Sequence, residues 1–148
     1  MSPQPTPAQA AYVAGIIDGE GHISLSRDKA RYRLRLAVKS TCEELATWLA
    51  TVANVGTVRV YRDKRQTKVG TRQVIHEWRV FTQQARVVLE LVLPHLIVKR
   101  EQARLAIEYQ GLTPGDRLAL GKEYFDRLKW HNGRQTQLRA AGEAPADP

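Results

Sequence analysis

Cysteine is almost absent from this chain. The single residue, Cys42, excludes an intramolecular disulfide and suits a reducing, intracellular setting. One thiol cannot build a zinc site, and the four histidines lack ligand-like spacing. Long apolar runs are missing too, so no segment reaches the roughly 20 residues that a bilayer crossing needs. The opening MSPQPTPAQ has no charged n-region and no Arg, so it is expected to be neither a signal nor a transit peptide. No internal repeat is evident.

What the chain has is positive charge, in one place. With 148 residues, 43% of them hydrophobic, it fits one domain with a real core. The formal net charge is +8. Between Arg27 and Arg79 lie 13 Lys and Arg against 5 Asp and Glu, leaving 10 of each elsewhere. The whole excess therefore sits in a middle segment. A solvated basic face is the bland reading, but such concentration points to a polyanion such as nucleic acid.

Periodicity sharpens this. Residues 31–39 read RYRLRLAVK, with Arg31, Arg33, Arg35, Ala37 and Lys39 on one side and Tyr32, Leu34, Leu36 and Val38 on the other. That is a strand with one cationic and one apolar face. GHISLSR at 21–27 alternates likewise, and a polar turn at 28–30 joins the two as a hairpin. A second hairpin is predicted within 56–81. There Val58, Val60, Val74, His76, Trp78 and Val80 share the apolar side, and Arg59, Tyr61, Gln73, Glu77 and Arg79 the polar side. Ile75 breaks the alternation, leaving the register open by one residue. DKRQTKVGT at 63–71 is a basic loop between them, with Lys64, Arg65 and Lys68, and Arg62 just before it, suited to a nucleic-acid backbone. Helices are predicted at 42–52, with Ser40 or Thr41 as cap, at 83–93, at 94–109 and at 117–130, the last burying Leu118, Tyr124, Phe125 and Leu128. The order helix, two strands, helix, two strands, helices gives an α+β fold, one antiparallel sheet with helices on one face. Residues 1–139 form the domain, and 140–148 (AAGEAPADP) a disordered tail.

The first helix carries the sharpest pattern. Thr6 is a suitable N-cap and Pro7 a suitable first residue. Ala11, Gly15 and Gly19 line a small-residue stripe that lets another backbone approach closely. The helix then stops on VAGIIDGEG, residues 13–21. Asp18 and Glu20 stand at the helix C-terminus, where the dipole disfavours negative charge, so they ask for a partner. A divalent cation on oxygen ligands is one answer. A buried amphipathic helix ending on a Gly cap is the alternative.

This nonapeptide resembles the signature of the LAGLIDADG homing endonucleases position by position, with conservative changes: Val13, Ile16, Gly for Ala at Gly19, and Glu20 for the second acid. The motif occurs once, and the resemblance implies the homodimeric type, with an αββαββα fold and a curved sheet. It implies a dimer interface of Ala11, Ala14, Gly15 and Asp18, with Asp18 also satisfying backbone donors across the helix ends. It implies that Glu20, with the Gly19 carbonyl, holds Mg²⁺ (Mn²⁺ able to substitute) between the scissile phosphates. Lys99 resembles the basic residue of the family's catalytic pocket, although a solvated helix lysine reads as well. Ser40 falls near a polar pocket position.

A two-stranded ribbon fits the major groove of B-DNA. Strands of about eight residues at roughly 3.3 Å each run about 26 Å, or about eight base pairs per half-site. Expected base and phosphate contacts are Ser24, Ser26, Arg31, Arg33, Arg35, Lys39, Arg59, Tyr61, Gln73, Glu77 and Arg79. His22 is read as a phosphate or base contact before a general base, and His76 as a core histidine. The expected function is site-specific double-strand DNA cleavage at a long, near-palindromic site by a Mg²⁺-dependent homodimer. It would act in the cytoplasm, nucleoid or organelle of its host element, away from membranes. The alternative is a non-cleaving DNA-binding regulator, or a maturase acting on intron RNA.

Overall fold

A computed structural model describes residues 3–64 and 73–140, with residues 135–140 described by backbone alone. The first helix, α1 (Pro7–Glu20), opens with a reciprocal cap. The Thr6 hydroxyl accepts from Gln9 N at 3.2 Å, and the Gln9 side chain accepts from Thr6 N at 2.9 Å. The helix runs without a loop into β1 (Gly21–Asp28). Gly21 makes that junction possible: a Cβ there would lie 2.7 Å from the Ile17 carbonyl oxygen and 2.8 Å from its Cα.

A two-residue turn through Lys29, at φ 56°, leads to β2 (Arg31–Ser40). Helix α2 (Glu43–Ala53) ends on Asn54 in the left-handed region at φ 53°. Gly56, at φ 86°, then turns the chain under the Trp78 ring into β3 (Thr57–Arg62). Strand β4 (Val74–Phe81) passes directly into α3 (Thr82–Val92). The four strands form one antiparallel sheet in the order β1-β2-β4-β3. Lys39 pairs with Glu77, and Glu77 with Arg59, which settles the register left open at Ile75.

The helices cover one sheet face. Ile23, Leu25, Leu34, Leu36, Val38, Trp78 and Val80 meet Val13, Ala14 and Ile17 of α1 and Ala85, Val88, Leu89 and Val92 of α3. The predicted helix over 94–109 is two pieces: a 3-10 turn at Leu93–His95, then α4 (Arg100–Gly111). The last helix, α5 (Pro114–Ala140), is far longer than the predicted 117–130 and packs on β1, β2 and α4. Phe125, Tyr124 and Leu128 are on its inner side, but Leu118 is exposed. His76 is half-buried rather than sealed in the core. Val60 shares the apolar side yet is 58% exposed, on the edge strand β3. Arg65, Lys68 and most of the basic loop lie outside the described residues, as do 141–148 of the expected tail. No described helix is long and apolar enough to cross a membrane.

Candidate nucleic-acid interface and helix-end site

Alternation along the strands puts the charged residues together. His22, Ser24 and Ser26 of β1 pair with Ala37, Arg35 and Arg33 of β2. Arg35, Ala37 and Lys39 pair with Phe81, Arg79 and Glu77 of β4, and Arg79 and Glu77 with Thr57 and Arg59 of β3. All these residues share the face that the helices leave open. Arg31, at the hairpin turn, and Tyr61, opposite Ile75, extend it at either end. Gln73 precedes β4, and its carbonyl accepts from Asp63 N at 2.8 Å. The Ser26 hydroxyl donates to the Arg33 carbonyl at 3.3 Å.

These arginines are held in place. The Arg33 guanidinium lies 4.0 Å from the Phe81 ring centre, and that of Arg59 lies 5.1 Å from Tyr61. Sequence reading missed Phe81, whose odd-numbered position on β4 was the available signal. Glu77 is the main departure. It was expected to contact a groove, but it is 2% exposed beneath the cations. Its Oε1 accepts from Arg35 at 2.9 Å and lies 3.4 Å from Arg79 Nε, which has no hydrogen-bond acceptor. Its Oε2 lies 3.4 Å from the Tyr61 hydroxyl and 3.7 Å from Lys39 Nζ.

At the end of α1 the two carboxylates part company. Asp18 accepts three backbone N–H bonds, from Ile97 at 2.8 Å, Val98 at 3.1 Å and Lys99 at 2.9 Å. These donors form the bend that leads into α4 and include its N-cap residue Lys99, next to the helix end where negative charge is favoured. Lys99 returns the arrangement: its ammonium donates to the carbonyls of Ile17 at 3.0 Å and Asp18 at 2.7 Å. Each helix end receives the charge it favours from the other helix. Lys99 is 7% exposed, so neither a solvated lysine nor a free pocket cation describes it. Asp18 likewise turns its carboxylate into its own subunit. Glu20 is different: exposed, and without a hydrogen bond or ion pair among the described residues.

Two other expectations change. The Ser40 hydroxyl accepts from Cys42 N at 2.9 Å, and Ser40 pairs with His76 on the apolar parity of the sheet. It shapes the turn into α2 and does not join the cationic face. Ala14 is 0% exposed in its own subunit's core and cannot line an interface. Ala11, Gly15 and Gly19 do form an open stripe, and nothing lies within 4 Å of a Cβ built on Gly15 or Gly19. Ile97, exposed beside Asp18, is a neighbour that sequence reading overlooked.

His22 stands one residue beyond the helix junction. Burial, then the charges of Arg35, Lys99 and Lys39, hold its imidazole below the usual range, favouring the neutral form. A cleft of about 420 Å³ opens beside it, between β1 and α5, lined by Ser24, Phe125, Lys129 and Asn132 among others. Asn132 ties α5 to the sheet edge by donating to the Ile23 carbonyl at 3.0 Å.

No protein-family model and no curated protein matches this chain. Solved structures do. The homing endonuclease I-CvuI, in complex with its target in the presence of Ca, aligns with TM-score 0.66 and 20% identity over 94% of this chain and 98% of that one. The fold is that of the LAGLIDADG homing endonucleases. The archaeal intron-encoded homing endonuclease I-Vdi141I, complexed with DNA, aligns at 0.60 and 18% identity, over 95% of this chain and 87% of that one. The LAGLIDADG meganuclease I-AabMI, bound to uncleaved DNA, aligns at 0.53 and 21% identity, over 80% of this chain but 42% of that one. In the LAGLIDADG fold of this chain, residues 13–21 form the end of α1 and its junction with the sheet.

Proposed function

We propose that this protein is a homodimeric, Mg²⁺-dependent, site-specific endonuclease of double-stranded DNA, cutting a long, near-palindromic site. The observation that carries this reading is the placement of Glu20. An exposed carboxylate with no partner among the described residues ends the small-residue helix, one residue before a strand of the cationic sheet face.

The sheet face supplies binding. Arg31, Arg33, Arg35, Lys39, Arg59 and Arg79 suit phosphates and guanine edges. The open stripe of Ala11, Gly15 and Gly19 suits a second copy of itself, which a two-fold interface requires. Among the described residues, no three His, Cys, Asp or Glu side chains gather to hold a metal. One chain offers half a site, Glu20 and the Gly19 carbonyl, and a second copy would offer the other half. Anionic and carbonyl oxygens are the donors that Mg²⁺ takes. A divalent cation there supplies an activated water and offsets charge on the leaving oxygen. Lys99 holds the two helix ends in place behind Glu20, and His22, favouring its neutral form, faces the same side as the arginines.

The test is cleavage of a plasmid carrying the sequence that flanks the gene's own host element, with Mg²⁺ or Ca²⁺. The expected result is one double-strand cut in Mg²⁺, lost in Glu20→Gln while binding persists. Tight specific binding with no cut under any divalent ion contradicts the proposal and leaves a regulator or maturase on this fold.

A further inference from the structure

We infer that Glu77 is a positioning residue for sequence recognition: its buried carboxylate fixes the arginines that read the centre of the half-site. The inference rests on the DNA-binding reading above, but its first observation is independent of DNA. A carboxylate almost sealed from water sits on the face that should meet a polyanion, where negative charge opposes binding. If binding strength alone mattered, this position would carry a neutral or basic residue. The contacts explain the acid. Oε1 engages the Arg35 and Arg79 guanidiniums, and Oε2 faces the Tyr61 hydroxyl and Lys39. The four partners come from all three strands around Glu77: β2, β3 and β4 itself.

Arginine side chains have many rotamers, and a loose guanidinium serves any phosphate or guanine within reach. A guanidinium with one edge committed to Glu77 presents only its remaining donors, in one direction. Arg35 and Arg79 are each about three-quarters covered, as such anchoring requires. The Phe81 ring also lies 5.8 Å from the Arg79 guanidinium and 4.0 Å from that of the neighbouring Arg33. Glu77 therefore lowers affinity for DNA in general while raising discrimination among sequences.

Removing the charge should separate these two effects. The experiment selects sites from a randomised duplex library with wild type, Glu77→Gln and Glu77→Asp. It also measures the salt dependence of binding to random-sequence DNA. Glu77→Gln should bind random DNA more tightly, with a salt slope steeper by about 0.9 for each additional phosphate neutralised. Its preference at the central half-site positions should fall about tenfold, the worth of one bidentate guanine contact. Glu77→Asp should recover part of that preference. In the DNA-free protein, the Arg35 Nη–H resonances, donated to Glu77, should be slow to exchange, and should broaden in Glu77→Gln.

Unchanged preference at every position in a folded Glu77→Gln overturns the inference and leaves an ordinary buried ion pair. If Glu77→Gln does not fold, Glu77→Asp decides: wild-type preference with mobile arginines overturns the inference equally. If wild type itself selects no sequence, the DNA-recognition reading fails, and the inference fails with it. The arginine resonances then still report whether the anchoring exists.

Discussion

The crossed caps between α1 and α4 make the most exacting prediction. Replacing Asp18 by Ala strands three backbone N–H groups that now meet carboxylate oxygens at 2.8, 3.1 and 2.9 Å. Hydrogen bonds to a charged group are worth about 1.5–3 kcal/mol each when buried. The Ile97 and Val98 bonds face water, which replaces part of the loss, so the net cost is about 2–4 kcal/mol. For a chain near 150 residues this lowers Tm by roughly 6–12 °C. Lys99→Met keeps the buried stem but removes two ammonium bonds, at 3.0 and 2.7 Å, and should cost a comparable about 2–4 kcal/mol. The two residues grip opposite ends of one junction, so the double variant should cost less than the sum, by about 0.5–2 kcal/mol. Thermal and urea unfolding at one fixed protein concentration measure all three, because Tm of a dimer depends on concentration. Tm within about a degree of wild type for either single variant would refute the reasoning. So would a Lys99→Met protein of undiminished stability whose chemistry alone is lost, since that result places Lys99 in catalysis.

Three further outcomes follow from the same geometry. Gly21→Ala should unfold or strongly destabilise the chain, because its Cβ meets Ile17 backbone at 2.7 Å, whereas Gly19→Ala meets nothing within 4 Å. Circular dichroism should show Gly19→Ala as stable as wild type or better, by up to about 1 kcal/mol. Burial and the Glu108 carboxylate, 2.7 Å away, push the Tyr124 hydroxyl from its ordinary 10.0 up to about 12. The folded state thus keeps a proton that the unfolded chain loses, and the associated stability, present below pH 10, disappears as pH rises through 12. Urea titrations across that window should show a steeper fall for wild type than for Tyr124→Phe. Random-duplex binding should weaken steeply with salt, and Lys39→Gln should reduce the slope by about 0.9 if Lys39 meets a phosphate.

Periodicity made the sheet legible. The arginines at 31, 33 and 35 and the apolar residues at 34, 36 and 38 could sit on one strand in only one way. The register at Ile75 was not legible, because an apolar residue on the polar side mimics a slip. Pairing of Glu77 with both Lys39 and Arg59 resolves it, and needs partner strands that no local pattern contains. Glu20 was read from its motif, and the structure leaves its carboxylate open. Lys99 and Ser40 were placed near the chemistry by resemblance, but their polar atoms go to Ile17, Asp18 and Cys42. A contact across 81 residues, such as that of Lys99 with Asp18, leaves no trace in spacing. The full length of α5 was hidden by Gly133 and by a polar run after Trp130 without helical periodicity, a stretch in which Asn132 meets the sheet edge.

The central claim is that a second copy completes the site across the small-residue stripe. Sedimentation velocity of wild type and Gly15→Leu, with cleavage assayed on the same samples, tests it most directly. Nothing lies within 4 Å of a Cβ at Gly15, so the larger side chain leaves one subunit's fold intact. The account predicts that wild type sediments at twice the 16.7 kDa of one chain and cuts DNA, while folded Gly15→Leu sediments as one chain and does not cut. A wild type that cuts both strands as a single chain, or a dimeric Gly15→Leu that cuts as well, contradicts it.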